Sequence, residues 1–129
     1  MVKKAFTLME IMLVITMVIL LASVAAATHK NRVRAARESV LKHNLAQLRM
    51  TLDAYNADRG HYPESLRTLL DEGYLRVIPE DPMTGSSETW EVIYEQDIMN
   101  EDSSYEPGVF DIRSGSEDEA MDGTFYYEW

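Results

Sequence analysis

One carboxylate stands inside the most apolar part of this 129-residue chain: between Phe6 and Thr28, Glu10 is the only ionisable side chain. A charge placed within a bilayer costs on the order of 2.5–3.5 kcal/mol on insertion scales, so such a group needs a reason. Two readings compete. In the plainer one, Glu10 sits shallow, near the headgroups, and starts a helix, because acids favour helix N termini. In the other it answers a positive charge that processing uncovers. The chain opens Met1-Val2-Lys3-Lys4-Ala5-Phe6. A secretory signal peptide carries its small-residue cleavage site after the apolar run, whereas Ala5 lies before it. A cut between Ala5 and Phe6 would discard only the basic leader and leave the apolar segment on the mature chain. It would also make the Phe6 amine a new cation about one turn from Glu10. Glu10 could then neutralise its own amine or that of a neighbouring copy. An ion pair formed only on association rewards correct register, since an unpaired buried charge is strongly unfavourable. Thr7 and Thr16 are expected to bond back to helical carbonyls.

The second chemical candidate is acidic. Eleven Asp and Glu residues lie from Glu91 to Asp122, and most belong on a solvated face. Within them, Ser114-Gly115-Ser116-Glu117-Asp118-Glu119-Ala120-Met121-Asp122 puts hydroxyls and carboxylates on a glycine-containing loop. Hard cations such as calcium take six to eight oxygen ligands, and this composition could supply some of them, although no EF-hand spacing is present. Nothing resembles a catalytic constellation. His29, His43 and His61 are scattered, cysteine is absent, and there is no glycine-rich phosphate loop or paired-histidine motif. The chain reads as a non-enzyme. Trp90, Trp129, Tyr126 and Tyr127 read as core or lid, and Met9, Met12 and Met17 as adaptable fillers of helix contacts.

These residues depend on a small set of elements. Phe6–Thr28 is long enough, at ~1.5 Å per residue, to cross the ~30 Å hydrocarbon layer. Lys3 and Lys4 flank it on one side and Lys30, Arg32, Arg34 and Arg37 on the other. The basic leader favours a cytoplasmic N terminus, with the acidic bulk outside. No Gly or Pro interrupts the chain before Gly60, and Leu41, Leu45, Leu48, Leu52 and Tyr55 fall at 4,3,4,3 spacing. One continuous helix from Phe6 to Asp58 is therefore predicted, its distal half seated by a single apolar stripe, with Asp58-Arg59-Gly60 as its stop. A short second helix follows Pro63, carrying Leu66, Leu69 and Leu70. A turn-rich loop over Pro79–Gly85 leads to strands at Thr89–Tyr94 and Val109–Ile112, with a third candidate at Thr124–Tyr127. This is an α+β plan in which the stripe covers one face of a small antiparallel sheet. Residues 1–59 hold nine Lys/Arg against four acids, and residues 60–129 three against eighteen. That asymmetry argues against nucleic-acid binding and suits a membrane-anchored protein. A head this small has no cysteine to staple it, which leaves a metal ion or self-association for that role.

Lys3-Lys4-Ala5 followed by Phe6-Thr7-Leu8-Met9-Glu10-Ile11 resembles the class III signal of type IV pilins and type II secretion pseudopilins. Later segments extend the likeness to the major, G-type pseudopilins: Tyr55 to Pro63, Asp81-Pro82-Met83-Thr84-Gly85 with Trp90, and Phe110 through Gly123. The resemblance implies a type IV pilin-like fold, with a leader at 1–5, a transmembrane and assembly helix at 6–28, and a periplasmic head at 29–129. A prepilin peptidase would cut between Ala5 and Phe6 and methylate the Phe6 amine. The implied role is a structural subunit, single-pass in the bacterial inner membrane, that polymerises with itself and other pseudopilins into a periplasmic filament of a type II secretion system. An inner-membrane platform protein and a secretion ATPase are implied partners. Calcium would bind Asp118 and Asp122, with backbone oxygens near Ser114 and Ser116. A pilin of a true type IV pilus, for adhesion, motility or DNA uptake, is the near alternative. A monomeric signal-anchored binding protein is the distant one.

Overall fold

The computed structural model describes residues 4–95 and 106–129. Lys3 of the leader, and Asp97, Glu101 and Asp102 of the acidic run, lie outside the described residues. Two compact units divide the chain at Ala35/Ala36, and helix α1, Leu8–Arg59, contributes to both.

In the N-terminal unit, α1 begins two residues later than predicted, and Thr7 is the cause. Its Oγ1 accepts from the Glu10 N–H at 3.2 Å, making Thr7 the N-cap and Glu10 the third residue of the first turn. Thr-x-x-Glu is a helix-start signature. Thr7 therefore caps the helix instead of bonding back to a carbonyl. Farther along, side chains do bond back: Thr16 Oγ1 to the Met12 and Leu13 carbonyls, Ser23 Oγ to Ile19 O at 2.8 Å, and Thr28 Oγ1 to Val24 O at 3.0 Å. Each hydroxyl is satisfied within its own helix, as an apolar surrounding demands. Every residue from Lys4 to Arg37 is exposed. The apolar side chains of Phe6–Val24 therefore surround the helix and do not mark one stripe. A helix apolar all round needs lipid or other apolar partners on every side.

In the C-terminal unit the periodic stripe behaves as predicted. Leu41, Leu45, Leu48, Leu52 and Tyr55 are the buried residues of α1. They share one core with Leu66, Leu69, Leu75, Trp90, Val109, Ile112, Ala120 and Tyr126. The helix stops at Gly60, whose φ of 79° is open to glycine and whose N–H donates to Asn56 O at 2.8 Å. Helix α2, Leu66–Asp71, is capped by Ser65 Oγ accepting from Thr68 N. Strands β1, Glu91–Tyr94, and β2, Val109–Arg113, pair antiparallel. Their register slips between Ile93 and Tyr94, leaving Phe110 unmatched. This bulge explains why Val109 and Ile112, three residues apart, are both fully buried; strict alternation would put them on opposite faces.

The third predicted strand is not one. Near the chain's end, only the bridge Glu119↔Phe125 forms, after which Tyr126–Glu128 makes a single 3₁₀ turn. Tyr126 is still buried, but through its hydroxyl bond to Glu38 on α1 at 2.8 Å and its backbone N–H to Asp118 O at 3.1 Å. Aromatic content alone does not separate that placement from a strand.

Candidate functional site

In the N-terminal unit, Ala5 and Phe6 precede the cap on exposed, non-helical backbone. Protein-cutting enzymes favour such backbone. Glu10 lies in the first turn, where the partial positive charge of unsatisfied N–H groups favours an anion. The two residues of the sequence-predicted pair thus flank one cap, Phe6 immediately before Thr7 and Glu10 three residues after it.

In the C-terminal unit, the loop after β2 is held by a relay of hydrogen bonds. Ser114 Oγ donates to Asp81 Oδ2 at 2.6 Å and accepts from Ser116 N at 3.2 Å. Ser116 Oγ accepts from Asp118 N at 3.3 Å. Asp122 Oδ1 accepts from the hydroxyl and N–H of Thr124 at 2.6 and 3.0 Å, and Thr124 Oγ1 accepts from Trp129 Nε1 at 2.7 Å. The Thr124 hydroxyl first, then its N–H, with Lys42 adding to them, hold the Asp122 carboxyl below its usual range. The Lys42 ammonium sits 4.3 Å from the Trp129 ring centroid.

Ser114, Ser116, Asp118 and Asp122 therefore lie on one short, turn-rich segment. Their donor atoms are all oxygen, the chemistry of a hard cation. Among the described residues no three or more His, Asp or Glu side chains gather as a metal-holding group. A cation here would rely on Asp118 and Asp122, with carbonyl and water oxygens completing the shell. The hydroxyls of Ser114 and Ser116 are already engaged, which leaves their backbone oxygens as the contribution expected of them.

Three side chains with no structural role legible in the sequence organise this unit. Arg49 on α1 donates from Nε to Asp111 Oδ1 at 2.7 Å, and from its guanidinium to Ile112 O at 3.0 Å and Trp129 O at 2.5 Å. It ties β2 to the last residue. Glu38 Oε1 accepts from Met121 N and the Tyr126 hydroxyl, both at 2.8 Å. Asp81 is fully buried. Arg49 and Glu38 flank an apolar stripe and look like ordinary solvated charges in sequence. Asp81 precedes Pro82 with Gly85 close by, a turn signal that says nothing of burial.

A membrane-length N-terminal helix, continued as an amphipathic half that shares a core with a small antiparallel sheet, defines a pilin-like α+β protein. Sequence comparison gives the family. The chain is 31% identical over 100 residues to the type II secretion system core protein G of Klebsiella michiganensis, covering 64% of this chain and 70% of that protein. It is 29% identical over 96 residues to the protein of the same name from Escherichia coli K12, covering 62% and 66%. The chain belongs to the type II secretion system core protein G family of pseudopilins. No family model matches the chain, and no solved structure does.

Proposed function

We propose that this chain is processed between Ala5 and Phe6 and polymerises through its N-terminal helix into the periplasmic pseudopilus of a type II secretion system. The observation that carries this reading is the helix surface: apolar side chains exposed on all sides from Phe6 to Val24, with one carboxylate in the first turn. In a lone lipid-facing helix Glu10 would do no more than start the first turn. A helix bundled with copies of itself can use it against the amine of a processed, methylated Phe6. The apolar helices would form the filament interior and the acidic heads its outer surface. A prepilin peptidase, other pseudopilins, an inner-membrane platform and a secretion ATPase are the partners this reading requires. Before assembly the chain would stand in the inner membrane as a single-pass protein with residues 29–129 in the periplasm, consistent with one helix long and apolar enough to cross a membrane.

N-terminal mass spectrometry of the mature protein is the primary test. A chain starting at methylated Phe6 supports the reading, and one still starting at Met1 ends it. Glu10→Ala should leave processing intact, abolish filaments and block export of the secretion system's substrates. Loss of twitching or DNA uptake with export preserved would assign the filament to a type IV pilus instead.

The proposal extends to calcium at Asp118 and Asp122. Bound there, a divalent cation would supply a cross-link between two turns of a cysteine-free head. A fragment lacking residues 1–29 should melt at higher temperature with calcium than with EDTA, and Asp122→Ala should remove that difference.

A further inference from the structure

Asp81 is a fully buried carboxylate without an ion-pair partner among the described residues. Burying an ionisable side chain in a small core is costly unless neighbouring groups replace its water, and here they do. Oδ2 accepts from the Ser114 hydroxyl at 2.6 Å and from Gly115 N at 3.2 Å. Oδ1 accepts from Met83 N at 2.8 Å. The backbone of Asp81 is also committed, its N–H to Ser86 O at 3.0 Å and its carbonyl to Gly85 N at 2.7 Å. One residue thus closes the 81–86 turn upon itself and grips the first residues after β2. The fit around that grip is tight: a Cβ on Gly115 would collide with the Thr89 carbonyl oxygen.

We infer that Asp81 is a buried carboxylate latch that positions the Ser114–Asp118 turn through its own hydrogen bonds, so that the turn needs no cation to hold it. The relay supports this. Ser114 Oγ, fixed by donating to Asp81, presents its lone pairs to Ser116 N, and Ser116 Oγ does the same for Asp118 N. Orientation passes from the buried carboxylate to Asp118. An oxygen with two lone pairs is what this site needs, because both Gly115 N–H and the Ser114 hydroxyl point at Oδ2. An asparagine must keep its one carbonyl for either Met83 or the Gly115 side. Its NH2 then meets an N–H donor, and two buried donors face each other.

Hydrogen exchange by mass spectrometry on the full chain in detergent micelles, with EDTA present, reads this directly, since exchange reports local opening. In the native protein, amides from Gly115 to Asp118 and at Met83 should be protected without calcium. Asp81→Asn should accelerate their exchange by about tenfold or more and leave amides of residues 41–55 within about twofold of native. Ser114→Ala removes one donor and keeps the carboxylate, and should accelerate only residues 115–118, by about threefold. If Asp81→Asn gives no folded protein, that milder variant decides. The latch is overturned by unchanged exchange in these segments. Equal acceleration across residues 41–55 also overturns it, because that would mark a general core defect. So does a native turn that gains protection only when calcium replaces EDTA, because the ion would then do the holding.

Discussion

At the scale of single residues, stability in the head rests on polar groups that bridge distant segments. Arg49 shows this most directly, since one guanidinium reaches Asp111, Ile112 and Trp129. Replacing it with Met keeps the stem and leaves three acceptors unmet, so Arg49→Met should cost about 1–3 kcal/mol. Urea unfolding of the fragment lacking residues 1–29 checks this, and an unchanged midpoint would show that solvent replaces the guanidinium without loss. Tyr55 carries a pH consequence. Burial first, then the Glu72 carboxylate beside it, push its phenol above the usual range. A raised folded-state value means the stabilisation is fully present below about pH 10 and is lost as pH climbs through the folded value. Alkaline titration followed by tyrosinate absorbance and circular dichroism should show unfolding above pH 10. Tyr55→Phe, with nothing to ionise at that position, should move the midpoint upward.

At the scale of elements, α1 is two kinds of helix in one. Up to Arg37 every side chain is exposed, and its structure depends on what surrounds it. From Leu41 on, one stripe is sealed into the head core. Leu48 lies in the middle of that stripe, completely buried. Leu48→Ala should destabilise the head by about 2–5 kcal/mol, a Tm drop of roughly 10 °C or more for a unit this size. Thermal melts of the fragment measure it. Substituting Met50, exposed on the same helix, should leave Tm within about 2 °C. The strands show a different economy: a two-stranded sheet is marginal alone, and the bulge at Phe110 matters because it turns both Val109 and Ile112 inward onto the helix.

At the scale of the whole molecule, the two units present surfaces of opposite character. The N-terminal unit exposes apolar residues that water does not tolerate in bulk, and the C-terminal unit buries a compact core under an acidic surface. The proposed filament resolves that contrast by packing the first unit of many copies together. Glu10 then becomes a matter of register: a copy added out of step leaves a carboxylate and an amine unpaired in an apolar interior. Glu10→Ala removes that penalty along with the attraction. Recovery of untagged chains with tagged ones should fall to background for the variant, while its amount in the membrane stays native.

Neighbouring residues were enough to specify the long helix, its stop at Gly60, the stripe from Leu41 to Tyr55, the α2 segment and both strands. Each is written in local signals, namely side-chain period, helix-favouring composition, glycine and proline, and β-branched content. The residues on which the proposed processing rests, Lys4 to Glu10, likewise stand side by side in the chain. It took the folded core to set the 3₁₀ turn at Tyr126–Glu128 where a strand was expected, to put Val109 on one face with Ile112, and to make Asp81, Arg49 and Glu38 fasteners. Those outcomes depend on partners 33 to 88 residues away along the chain. A short acidic or basic side chain looks the same in sequence whether water or a distant backbone group completes its hydrogen bonds. Only the assembled core, by excluding water, makes that difference.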